Sequence, residues 1–119
     1  MTNPYLAGLE LVKQHPGTSG QGAIAKCILS LYNSAHAFSI GEVLGPLDDH
    51  YTAVVLAMVA EYAANGETAE LRQAGEWVCR EFPGLLELSK AMHDAKYEVR
   101  ARWEREREEE ARRLYPDEA

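Results

Sequence analysis

The side chains equipped for chemistry are few and dispersed along the chain. The most compact set is His36, Asp48, Asp49 and His50, whose imidazoles and carboxylates could share a divalent cation if the loop between them folded back. Their spacing matches no established metal motif. Asp48 and Asp49 also have the acceptor oxygens and negative charge that suit the start of a helix, which leaves His50 as a solvated neighbour, so the reading is no metal and no other cofactor. Cys27 would need a base to act as a nucleophile, and His36 lies nine residues on, past the end of the same helical pattern. Both Cys27 and Cys79 sit among apolar residues, where a free thiol behaves as a small hydrophobe. Gly17 to Gly22, GTSGQG, begins like a phosphate-binding loop, but Ala23 and Ile24 stand where such a loop needs Lys and Ser or Thr, and the preceding segment is helical rather than a strand. His93 and Asp94 are adjacent on a helix and point in different directions, so they form no dyad. His15 precedes a proline at a helix end and reads as a surface residue. These residues assemble no catalytic set, and the expectation is that the protein is not an enzyme.

The elements that position these residues are all helical in pattern. Tyr51 to Ala64, YTAVVLAMVAEYAA, is made almost wholly of aliphatic side chains, alanine and methionine and leaves no polar face, which marks a buried helix. At a rise of about 21 Å it is too short to cross a bilayer and must be sheathed by other helices of its own chain or of a partner. Asn3-Pro4 reads as a cap and first residue of a helix over 4–15, with Tyr5, Leu6, Leu9 and Val12 on one face. Thr18 and Gln21 have the spacing of a capping box for a helix over 19–34, striped by Ile24, Cys27, Ile28 and Leu31. Ser39 and Glu42 open a short connector that Gly45-Pro46 halts. Thr68 caps a helix over 68–82 that Pro83-Gly84 breaks, and a final helix runs from about 85 to 114. No stretch alternates with period two, so the fold class is all-α: a single-domain bundle of about five helices. Residues 1–98 form the body, and 99–119 form a charged extension and tail of the same domain.

In the final helix Leu85, Leu88, Met92, Val99 and Trp103 trace one stripe, and Leu114 lies in line with Met92 and Trp103 at intervals of eleven. Arg100 with Glu104, Glu108 with Arg112 and Glu109 with Arg113 are spaced to support the helix as ion pairs. A large aromatic among Arg and Glu is either the last contact with the body or an anchor for a partner. Val99, Trp103 and Leu114 are therefore the candidate interaction surface. A lone charged helix would leave Val99 and Trp103 without cover, which points to a twofold homodimer in which these helices pack on each other or on the neighbour's body.

Composition narrows the function classes. The chain has 119 residues, enough for one hydrophobic core, with 12 Lys and Arg against 19 Asp and Glu and a formal charge of -7. An acidic surface repels a phosphate backbone, so no direct nucleic-acid binding is expected. Residues 1–99 hold six bases and twelve acids, whereas 100–113 hold six arginines and five glutamates. The start MTNPYLAGLE has neither the basic segment nor the apolar run of a secretion signal, and no stretch reaches membrane-spanning length. With free thiols, this gives the expectation of a soluble, cytoplasmic protein without membrane contact.

Gly20-Gln21, Leu31-Tyr32-Asn33, Phe38-Ser39-Ile40 and Leu47-Asp48-Asp49 together carry a resemblance over residues 19–66. This stretch resembles a family of small proteins of bacterial plasmids, integrative elements and phage-like islands, known only as a domain of unknown function. Residues 68–119 depart from that pattern. The resemblance implies an accessory protein of a mobile genetic element and brings no catalytic residues. The leading expectation is thus a non-enzymatic protein–protein interaction protein. The alternatives are an acidic inhibitor of a host nucleic-acid-binding defence machine, presenting carboxylates where phosphates would sit, and a small metal-dependent enzyme built on His36 to His50.

Overall fold

The computed structural model describes residues 3–118, and these form six α-helices with no strand among them. The helix starts follow from their caps. In α1 (Pro4–Gln14) the Asn3 side chain accepts from the amides of Tyr5 and Leu6, and Pro4 takes the first position, where a missing N–H costs nothing. In α2 (Ser19–Tyr32) the Thr18 hydroxyl accepts from Gln21 N at 3.1 Å. Gln21 does not close the expected capping box. Its Oε1 accepts from Gly17 N at 2.9 Å and its Nε2 donates to Val12 O at 2.8 Å, lacing the end of α1 to the start of α2. The Ser39–Glu42 box is formed on both sides at α3 (Ile40–Leu44). Asp48 caps α4 (Asp49–Asn65) through Tyr51 N at 2.8 Å, so this helix begins two residues before the apolar run does. Gly66, at φ 65°, ends it in a conformation that favours glycine. Thr68 caps α5 (Ala69–Glu81).

Between α5 and α6 (Pro83–Leu114) only Phe82 is non-helical. The sequence places a break at Pro83-Gly84. The chain instead bends at Phe82 and Pro83 becomes the first residue of the next helix, a position that needs no amide donor. A single 3-10 turn, Pro116–Glu118, follows α6.

The centre of the bundle is α2, not α4. Ala23, Ile24, Ala25, Cys27, Ile28 and Leu29 are all buried, and α2 packs against α1, α3, α4 and α5. A fully buried Ile or Leu contributes about 1.5–3 kcal/mol, so Ile24, Ile28 and Leu29 make this helix the largest apolar contribution to the core. Helix α4 buries only Val55 and Met58, on the side that faces α1 and α2. The expectation that α4 is enclosed all round is therefore corrected: its opposite side, with Ala53, Leu56, Ala57, Ala60 and Ala63, is exposed. Composition marked the helix as apolar but does not count its neighbours, and this chain supplies neighbours for one side only.

Close helix approach is set by glycines in contact with large side chains. A Cβ on Gly75 of α5 would overlap the ring of Tyr32 on α2, and one on Gly8 of α1 would come within 2.6 Å of Met58 Sδ on α4. The buried Tyr5 hydroxyl donates to Gly66 O at 2.9 Å, fixing the start of α1 to the end of α4.

Helix α6 leaves the body. It is 32 residues long, about 48 Å, and Ser89 in its second turn is its last buried residue. The molecule measures 63 × 30 × 25 Å, with a radius of gyration of 18.7 Å where a compact chain of this length has about 13–14 Å. The ion pairs on α6 differ from those expected. Lys90–Asp94 at 2.7 Å and Arg102–Glu106 at 3.9 Å are formed, and Arg100–Glu104, Glu108–Arg112 and Glu109–Arg113 are not. All lie on an exposed surface, where either choice contributes little.

Candidate interaction surface

The residues with chemical potential are separated or occupied. His36 turns toward α6, where its Nδ1 lies 2.7 Å from Ser89 Oγ, and it forms no cluster with Asp48, Asp49 and His50. Asp48 is engaged as the α4 cap, and His50 stands beside Tyr51 with ring centroids 5.9 Å apart. Among the described residues no three of His, Cys, Asp and Glu converge on a point that could hold a metal ion. Cys27 is buried on α2, and burial pushes its thiol up to about 11, the opposite of what a nucleophile needs. Burial, reinforced by Glu76, also raises the Cys79 thiol. His93 Nδ1 and Asp94 Oδ1 stand 3.7 Å apart, beyond hydrogen-bond distance, and Asp94 is held instead by Lys90, whose hydrogen bond lowers its carboxyl. The 17–22 loop is used in the junction of α1 and α2, with Thr18 and Gln21 both engaged. Among the described residues Ser89 is the one hydroxyl hydrogen-bonded to a histidine ring. It is only 3% exposed and also lies 3.4 Å from Ala35 O, which makes it a structural tie rather than a reagent.

A groove of about 290 Å³ with almost wholly apolar walls lies where α2, α3 and α4 meet. Its walls are Cys27, Ser30 and Leu31 from α2, Phe38, Ile40, Val43 and Leu44 from the α3 region, and Val55, Leu56 and Val59 from α4. The groove exists because α3 is too short to cover α4. Five residues make little more than one turn, while α4 runs for 17. At the rim Ile40 is 76%, Leu56 56% and Val59 46% exposed. Single exposed apolar residues are ordinary, but here they are continuous with the uncovered alanine side of α4. The volume is slightly below the range of about 300–1,000 Å³ typical of small-molecule sites, and matches one or two large side chains. Sequence reading missed Ile40, Leu56 and Val59 as a surface. The signal in the sequence is the absence of any Asp, Glu, Lys or Arg from His50 to Ala60, which is equally the mark of a buried helix.

The three residues picked out on α6 lie along its projecting part. Val99 is partly covered, Trp103 is 54% exposed and Leu114 is 57% exposed. Tyr97 and Tyr115 are also exposed, so the arm carries several large apolar groups outside any core. In sequence Arg100, Arg102, Arg105 and Arg107 flank Trp103, against Glu104 and Glu106. In contrast, α3 and α4 carry Glu42, Asp49 and Glu61 with no Lys or Arg, and Lys26 of α2 is already bonded to Glu42 at 3.2 Å.

No helix among the described residues is long and apolar enough to cross a membrane. No family model, curated protein or solved structure matches the chain.

Proposed function

We propose that this is a non-enzymatic protein–protein interaction protein that associates with a second copy of itself. The observation that carries the reading is the α2–α3–α4 groove, open to solvent and continuous with an uncovered apolar side of α4, on a chain whose charge otherwise favours solvation. The dispersal of the chemical side chains supports it as well, since His36, Asp48 and Cys27 each have a structural use. A role as an accessory of a mobile genetic element rests on the resemblance of residues 19–66 and belongs to the same reading. Sedimentation of the wild-type chain across a range of concentrations tests it. A species of twice the 13.2 kDa chain mass is expected, and a monomer throughout would remove the homodimer.

A further inference from the structure

We infer that the groove between α2, α3 and α4 receives Trp103 from the α6 arm of a second copy, the two arms being exchanged reciprocally about a twofold axis. The inference rests on the self-association proposed above and names the two surfaces that make it.

Three features of the molecule select this occupant. The first is charge. The groove walls carry no charge, and the three helices that build it hold one cation, Lys26, already paired with Glu42, against the three carboxylates Glu42, Asp49 and Glu61, while the four residues on either side of Trp103 include four arginines against two glutamates. Residues 1–99 carry six bases and twelve acids, so two bodies repel each other, and residues 100–113, with six arginines and five glutamates, form the segment that an acidic body does not repel. The second is size. The groove has room for one or two large side chains, and Trp103 is the largest exposed apolar side chain on the arm. The third is reach. Trp103 lies 20 residues, about 30 Å, beyond the start of α6, past the cleft that His93, Lys96 and Arg100 form with Asn33 to Ala35, and it is half exposed, so it can meet a neighbour without disturbing its own core.

Reciprocal exchange also separates this arrangement from its two rivals. If the alanine sides of two α4 helices paired, the arm would be idle. If two arms paired with each other, the groove would stay empty, and the arginines around Trp103 would face one another.

Sedimentation of two variants, alone and mixed, tests the inference. Trp103→Glu removes the occupant and Leu56→Lys spoils the groove, both at exposed positions, with far-UV circular dichroism to show that each remains folded. Each variant alone is expected to be monomeric at concentrations where the wild type is a dimer. Mixed in equal amounts, the two should form a heterodimer, because the intact arm of Leu56→Lys can still enter the intact groove of Trp103→Glu. With one of two contacts kept, that species should dissociate at a higher concentration than the wild type does. Association of Trp103→Glu as strong as wild type overturns the inference in favour of α4 pairing. Unchanged association of Leu56→Lys overturns it in favour of arm pairing. In both cases the self-association reading stands. Variants that remain monomeric when mixed overturn the exchange, and a monomeric wild type removes both the exchange and the homodimer.

Discussion

The His36 ring and the Ser89 hydroxyl, 53 residues apart in sequence, meet at 2.7 Å and form the side-chain hydrogen bond that ties the long helix to the body. Ser89 is the only buried residue of α6, and its hydroxyl lies between the imidazole and Ala35 O. Ser89→Ala removes the hydroxyl and leaves the half-buried Nδ1 without a protein partner. The expected loss is about 1–2 kcal/mol of stability, measured by urea denaturation.

The same contact makes stability depend on pH. Burial lowers the His36 pKa below its ordinary 6.5, so the unfolded chain binds the proton more readily than the folded one. Lys96 and Arg100, which border the cleft beside Asn33 to Ala35, carry positive charge near the same end of α2. The contribution of His36 is therefore fully present above pH 6.5 and is lost as pH falls through the depressed folded value. Denaturation midpoints should fall between about pH 7.5 and about pH 5 in the wild type, and less steeply in His36→Gln.

Gly75→Ala should be more damaging than a helix-favouring substitution usually is. An added methyl gains about 1 kcal/mol of helix propensity, but here it would overlap the Tyr32 ring near its attachment point, where the ring cannot swing aside alone. The helices α2 and α5 must then part, and a net loss of about 1–3 kcal/mol is expected. Thermal melts would show it. Tyr32→Leu in the same chain should recover part of the loss, because the obstacle is the ring.

The two thiols should react in a fixed order. Cys27 is buried with its pKa near 11, so at pH 8 only about one thiolate in a thousand exists even before access is considered. Cys79 is partly exposed and less strongly shifted. A disulfide reagent should modify Cys79 in the native protein and Cys27 only on the timescale of unfolding, as read by mass spectrometry of the labelled peptides.

What could be read from the sequence was local. The caps at Asn3, Thr18, Ser39, Asp48 and Thr68 depend on residues two or three apart, and each is formed. The second use of Gln21 on Val12 and the tie between His36 and Ser89 join separate helices, so no spacing rule reaches them. The exchange of roles between α2 and α4 has a similar origin. Both helices are rich in apolar residues, but α2 lies where four helices meet, while α4 has only the side of Val55 and Met58 covered. Periodicity identifies which residues of a helix are apolar; how many of them find neighbours is decided by packing. The candidate surface was legible at Trp103, where a large aromatic stands among charges, and illegible at Leu56 and Val59, where exposure is invisible in an apolar run.

The arm beyond the body should be dispensable for folding yet not for stability at high concentration. The apolar core ends at Val78, Ser89 is the last buried residue, and Val99 and Ala101 are only partly covered. A chain ending at residue 98 should therefore keep its helical signal and, in dilute solution, melt within a few degrees of the full chain. The two should diverge as concentration rises. A partner that binds only the folded state stabilises it by mass action, and each tenfold rise in concentration adds up to about 1.4 kcal/mol per dimer, or half of that per chain. For a domain of this size that amounts to a few degrees in Tm for the full chain, with no change for the shortened one. Melting both at low and high concentration separates the two effects. An equal and concentration-independent drop would mean that residues 99–119 support their own body directly, whereas a gap that opens only at high concentration assigns their contribution to the second copy.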